Sequence, residues 1–107
     1  MKRKLWTVKD SDIHGKGIHA IMSIAKEQSL GIAYTLIGKV NNQFIAGEIH
    51  ELGMFVNHSK MPSAQPRLSG NNVILVSLHK IKESSEITVN YNDFVKLGIA
   101  NLERPQW

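Results

Sequence analysis

The stretch Glu86-Ile87-Thr88-Val89-Asn90-Tyr91 alternates apolar and polar residues without a break. That is the period of a strand with one face in the core, so Ile87, Val89 and Tyr91 share a face. The spacing predicts a strand that ends on Tyr91, with the phenol turned into a pocket rather than into solvent. A buried tyrosine at a strand end is more commonly a packing residue with a satisfied hydroxyl. A chemical role for Tyr91 therefore needs support from elsewhere in the chain.

Upstream of this stretch, Lys82 to Ser85 reads as a turn and Val73 to Leu78 as the clearest strand in the chain. Gly70-Asn71-Asn72 turns into it, and the polar, proline-containing run Val56 to Ser69 reads as a loop. Leu30 to Val40 is a further strand, weakened by Gly31 and Gly38, and Asn41-Asn42-Gln43 closes it with a turn. Phe44 to Phe55 fits either one short helix or two short strands, and Ile24 to Ser29 a helical turn or a loop. Leu5-Trp6-Thr7-Val8 begins the chain as a strand, followed by a turn at Asp10-Ser11-Asp12. Downstream, Phe94, Val95, Leu97, Ile99 and Leu102 have spacings that suit a helix between Asp93 and Trp107.

Many short strands with little helix predict a mainly β protein. Its 107 residues fit one domain, 1–107, with the informative segments inside about 11–94 and a closing segment over 95–107. The absence of cysteine excludes disulfides, thiolate zinc sites and a cysteine nucleophile. No window approaches the roughly 18 apolar residues of a membrane span, so a soluble intracellular protein is expected. A net charge of +4 favours acidic partners such as nucleic acid, but it serves solubility equally well. The histidines, His14, His19, His50, His58 and His79, show no helical i,i+4 pair, and no zinc or other metal site is expected.

Two further segments carry potential chemistry. Gly15-Lys16-Gly17 lacks side chains where backbone groups could approach a ligand, although most such pairs are hairpin turns. It also lacks the third glycine of a dinucleotide fingerprint. Phe55-Val56-Asn57-His58-Ser59, with Pro62 after it, brings apolar residues into a polar loop where Asn57 and His58 offer hydrogen-bonding groups. Taken singly, an Asn-Ser turn with an exposed histidine explains it as well.

In order and spacing, the segments together resemble the SET-domain pattern: Ser11 to Ala20 with its His14-Gly15-Lys16-Gly17, then Asn57-His58-Ser59 and Pro62, then Glu86 to Tyr91. The nearest flavour is the minimal viral and bacterial SET proteins without flanking pre-SET or post-SET domains. The resemblance implies several short twisted sheets with a C-terminal pseudoknot, an exception to the rule that chains avoid threading. It also implies methyl transfer from S-adenosyl-L-methionine to a lysine of a protein substrate, leaving S-adenosyl-L-homocysteine. By the same resemblance, Gly15, Lys16 and Gly17 receive the methionine portion of the cofactor, and Asn57 and His58 hold its adenosine. Tyr91 is the implied catalytic residue, Tyr34 is implied along the lysine channel, and Phe94 either along that channel or over the adenine. Histones or other basic, nucleic-acid-associated proteins are the implied substrates, in the cytoplasm or, for a viral protein, the host nucleus. A homodimer is implied by analogy alone.

The pattern departs from the family at His19, Met54 and Lys60, and at Ser63, where the usual asparagine is missing and a looser loop is expected. Two other function classes stay open: a SET-like module that binds a lysine-containing peptide with weak turnover or none, and a small basic β domain for nucleic acid. The latter needs aromatic residues interleaved with basic ones on an exposed sheet, and aromatics form only 7% of this chain.

Overall fold

The computed structural model describes residues 4–100, with the side chain of Ala100 excepted. Turn chemistry sets the first layer of organisation. β1 (Trp6–Asp10) and β2 (Lys16–Ala20) form an antiparallel hairpin in which Trp6 faces Ala20 and Asp10 faces Lys16. β3 (Ser29–Val40) returns as β4 (Gln43–Ile49) through Asn41 and Asn42, both at positive φ, a conformation asparagine tolerates better than most residues. α1 (Glu51–Phe55) follows, then the two-residue strand β5 (Asn57–His58). β6 (Ala64–Ser69) and β7 (Asn72–Ser77) make a third hairpin, and β8 (Glu86–Val89), α2 (Asn92–Lys96) and β9 (Ile99–Ala100) complete the described chain.

These strands build a four-stranded sheet, β1-β2-β8-β5, and a five-stranded sheet, β6-β7-β3-β4-β9. β8 enters between β2 and β5, antiparallel to the first and parallel to the second. A strand from the C-terminal half is thereby laid beside segments that precede it by about thirty and seventy residues. Ile18, Leu52, Tyr34, Leu75, Ile87 and Phe94, from six different elements, meet in one buried core. No helix among the described residues is long and apolar enough to cross a membrane.

Three expectations change. The run from Val56 to Ser69 contains β5 and β6 rather than loop throughout. Its Pro66 is tolerated because β6 is an edge strand, where a missing N–H breaks no central ladder. The helix expected from Asp93 ends at Lys96, and Gly98, at φ +82°, turns the chain into β9 beside Phe44 and Ile45. The continuation through Leu102, Pro105 and Trp107 lies outside the described residues. Tyr91 does not end a strand. It takes helical dihedrals at the start of α2, so strand alternation does not determine where its side chain points.

Ser63 also departs from expectation, for its loop is pinned rather than loose. Its N–H reaches the Thr88 carbonyl at 3.2 Å, its Oγ accepts the Thr88 N–H at 3.1 Å, and its carbonyl accepts the Leu78 N–H at 2.8 Å. Two of these bonds are made by the backbone of Ser63, and its buried hydroxyl supplies the third.

Candidate active site

Between β1 and β2 the chain makes a tight loop whose shape is set by Ser11. Its N–H donates to the Gly15 carbonyl at 2.8 Å, and its Oγ accepts the N–H groups of Ile13 at 2.9 Å and His14 at 3.3 Å. Gly15 lies at φ +47°, where a side chain would be strained. From the other side of the site the buried Asn57 reaches into this loop. Its Nδ2 lies 3.0 Å from the His14 carbonyl, 3.2 Å from that of Lys16, 3.0 Å from Ser11 Oγ and 2.9 Å from Glu86 Oε2. Two amide hydrogens are thus shared among four acceptors that all belong to the protein.

Glu86 completes the cluster. The Ser11 hydroxyl donates to its carboxylate, at 2.7 Å from Oε1 and 2.9 Å from Oε2. A Cβ at Gly17 would overlap this carboxylate, so the missing side chain makes room for Glu86 rather than for a ligand. Around Gly15, by contrast, an added Cβ would meet nothing within 4 Å, and there the loop is open. His19 stands opposite Glu86 in the β2–β8 register, with Nε2 at 3.9 Å from Oε1 and a buried Nδ1 that has no hydrogen-bond partner among the described residues.

Lys16 contributes backbone to this loop. Its ammonium pairs with Asp10 across the hairpin and, by hydrogen bond and charge, lowers the carboxyl pKa of Asp10. Both side chains are well exposed.

Tyr91 is anchored at two points. Its N–H donates to His58 Nδ1 at 3.1 Å, and its phenol donates to the Val56 carbonyl at 3.0 Å. The first bond requires an unprotonated Nδ1, which fixes the ring tautomer with hydrogen on Nε2 when His58 is neutral. The two rings lie 5.1 Å apart between centroids. Because Val56, Asn57 and His58 are consecutive, one short segment holds both the loop and the tyrosine.

Tyr34 and Phe94 meet edge to face at 5.5 Å, and the Tyr34 hydroxyl donates to the Gly53 carbonyl at 3.2 Å. Each is only 1% exposed, which places both within the packed core. Gly15, Lys16, Gly17, Asn57, His58 and Tyr91 come together in one region as β2, β5 and β8 join. Sequence reading assigned no role to Ser11 or Glu86, although both lie inside the quoted segments. The signal for Glu86 was an acid opening a strand whose next residues are core, with no basic residue beside it.

The loop has an open outer face at Gly15, and a carboxylate lies behind it that pairs with no lysine or arginine among the described residues.

A protein-family model described as SET domain matches residues 9–92. A solved Plasmodium falciparum structure, of a protein provisionally named a histone methyltransferase, is similar at a TM-score of 0.68 and 22% identity. The similarity covers 84% of this chain and 95% of that one, and at such identity it is a likeness of fold. No curated protein matches the sequence.

Proposed function

The chain belongs to the SET-domain family of protein-lysine methyltransferases, and from that premise we propose that it methylates a lysine side chain of a protein, using S-adenosylmethionine. The observation that carries the reading is the double anchoring of Tyr91 to Val56 and His58, on the segment that also holds the Gly15–Gly17 loop.

Bound S-adenosylmethionine supplies a methyl group on a positively charged sulfonium. The work of this chain is to bring a neutral lysine amine to it in line. Free lysine has a pKa of about 10.4 and is almost wholly protonated at neutral pH. An apolar channel and a neighbouring positive charge both disfavour the ammonium form, so the amine gives its proton to bulk water before it is enclosed. Tyr91 donates its phenolic hydrogen to the Val56 carbonyl, and a phenolic oxygen can accept as well as donate. In this reading the Tyr91 oxygen would orient the amine, and it would be available for weak CH···O contacts once the cofactor is bound. Most of the acceleration comes from alignment. Tyr34 and Phe94, packed against each other, shape the inner wall of the channel, and the loop around Gly15, with Asn57 and His58, holds the cofactor. A protein rich in lysine, such as a histone, is the proposed substrate class.

The test is single-turnover methyl transfer from labelled S-adenosylmethionine to a histone mixture, with Tyr91→Phe beside the wild type. A loss of about a hundredfold, the scale of a misaligned reactant, is expected. An unchanged rate would remove Tyr91 from the mechanism. Calorimetry with S-adenosylmethionine checks the binding step, and Asn57→Ala is expected to weaken it by releasing the loop.

A further inference from the structure

We propose that Glu86 is the positioning residue of the cofactor loop: its carboxylate sets the direction of the hydrogen bonds that shape residues 11–17. This deepens the methyl-transfer reading and rests on it. The carboxylate side chain is only 13% exposed, yet its hydrogen-bond donors are neutral, Ser11 Oγ and Asn57 Nδ2. Among the described residues no lysine or arginine pairs with it, and His19 Nε2 stands no nearer than 3.9 Å, so the burial of this charge rests mainly on neutral donors, which is costly. An ionised carboxylate, however, is an acceptor at both oxygens.

That property propagates through the cluster. Because Glu86 can only accept, the single Ser11 proton points to it, which turns the Ser11 lone pairs toward the N–H groups of Ile13 and His14. Because Glu86 takes a share of the Asn57 amide, Asn57 presents hydrogen rather than oxygen to this side, and the His14 and Lys16 carbonyls turn inward to it. The carbonyls of His14, Gly15 and Lys16 are therefore spent within the protein, and the loop faces outward at Gly15. Gly17 leaves the space in which the carboxylate sits. Its negative charge behind the loop also complements a cofactor that carries a sulfonium and an ammonium. Charge-assisted hydrogen bonds are roughly twice as strong as neutral ones, so the carboxylate makes this network stiffer than an amide would.

The discriminating comparison is Glu86→Gln against Glu86→Asp. Glutamine keeps the size but adds an N–H donor that competes with Ile13 and His14 for Ser11 or opposes Asn57. Aspartate is shorter but keeps an acceptor-only group. S-adenosylmethionine affinity by calorimetry, together with amide hydrogen exchange at residues 13–17 in the protein alone, reads both binding and loop order. Glu86→Gln is expected to weaken binding about tenfold or more and to speed exchange in the loop by a similar factor, with Glu86→Asp the milder of the two. A side chain that merely fills space gives the reverse order, glutamine milder than aspartate, and that result overturns the proposal. Should Glu86→Gln fail to fold, Ser11→Ala interrupts the same chain of hydrogen bonds and is expected to match it in both readouts. A normal loop exchange in Ser11→Ala also overturns the proposal. If the wild type itself binds no S-adenosylmethionine, the methyl-transfer reading falls, and exchange at residues 13–17 still decides whether Glu86 orders the loop.

Discussion

An alanine at Gly17 would bring its Cβ to 2.9 Å from Glu86 Cδ and 3.0 Å from Ser11 Cβ, whereas one at Gly15 would meet nothing within 4 Å. Gly15→Ala is therefore a backbone problem, with a cost of about 1 kcal/mol for a side chain at positive φ. Gly17→Ala is a packing problem that displaces the carboxylate, with an expected cost of about 1–3 kcal/mol. Thermal denaturation measures both. Calorimetry should show that Gly17→Ala also loses S-adenosylmethionine affinity, through the displaced carboxylate. Also at this scale, Lys16 lowers the folded-state pKa of Asp10. A depressed carboxylate contributes stability above its unfolded pKa, and that contribution is lost as pH falls through the lowered folded value. The pair is exposed, so Asp10→Asn should flatten the acid limb of a stability profile only slightly, and less at high salt. The pattern of residue types revealed that these glycines were special. It did not reveal that one is open and the other filled, because that depends on a glutamate about seventy residues away.

Among the elements, the join between β8 and its neighbours decides whether a site exists. β5 is two residues long, and its pairing with β8 is reinforced by the Ser59 N–H on the Val89 carbonyl at 2.9 Å and by Ser63 on Thr88. Ser63→Ala leaves the buried Thr88 N–H without the Oγ acceptor, at a cost of about 1–3 kcal/mol in urea denaturation. The loss should appear as faster hydrogen exchange along β8, with the β3–β4 hairpin unaffected. The alternation Glu86 to Tyr91 correctly indicated a strand, but it overran the end. Asn90 accepts the Asn92 N–H at 3.0 Å through its side chain and starts a turn there, so Tyr91 opens a helix. The composition of Val56 to Ser69 concealed β6 for a related reason. An edge strand can carry proline and polar residues that a central strand cannot.

For the whole molecule, the contact between Tyr34 and Phe94 ties the five-stranded sheet to α2, which is capped by Tyr91. Phe94→Ala should cost about 3–5 kcal/mol, a large share of the roughly 5–15 kcal/mol available to a small domain. A loss of that size in unfolding free energy from urea denaturation, with loss of Tyr91-dependent methyl transfer, is the expected outcome, and a change under about 1 kcal/mol would mean the core closes without it. What the sequence by itself determined is the list of local preferences. It showed where strands alternate, where asparagine and glycine turn the chain, and which segments match the SET-domain pattern. These are short-range properties, readable because each depends on neighbours a few residues apart. Only the tertiary structure decided that Asn57 serves the loop, that Gly17 makes room for Glu86, and that Tyr91 is held by His58 and Val56. Those contacts join residues 33 to 69 positions apart, and no local period encodes such distances. They exist because β8 enters between β2 and β5.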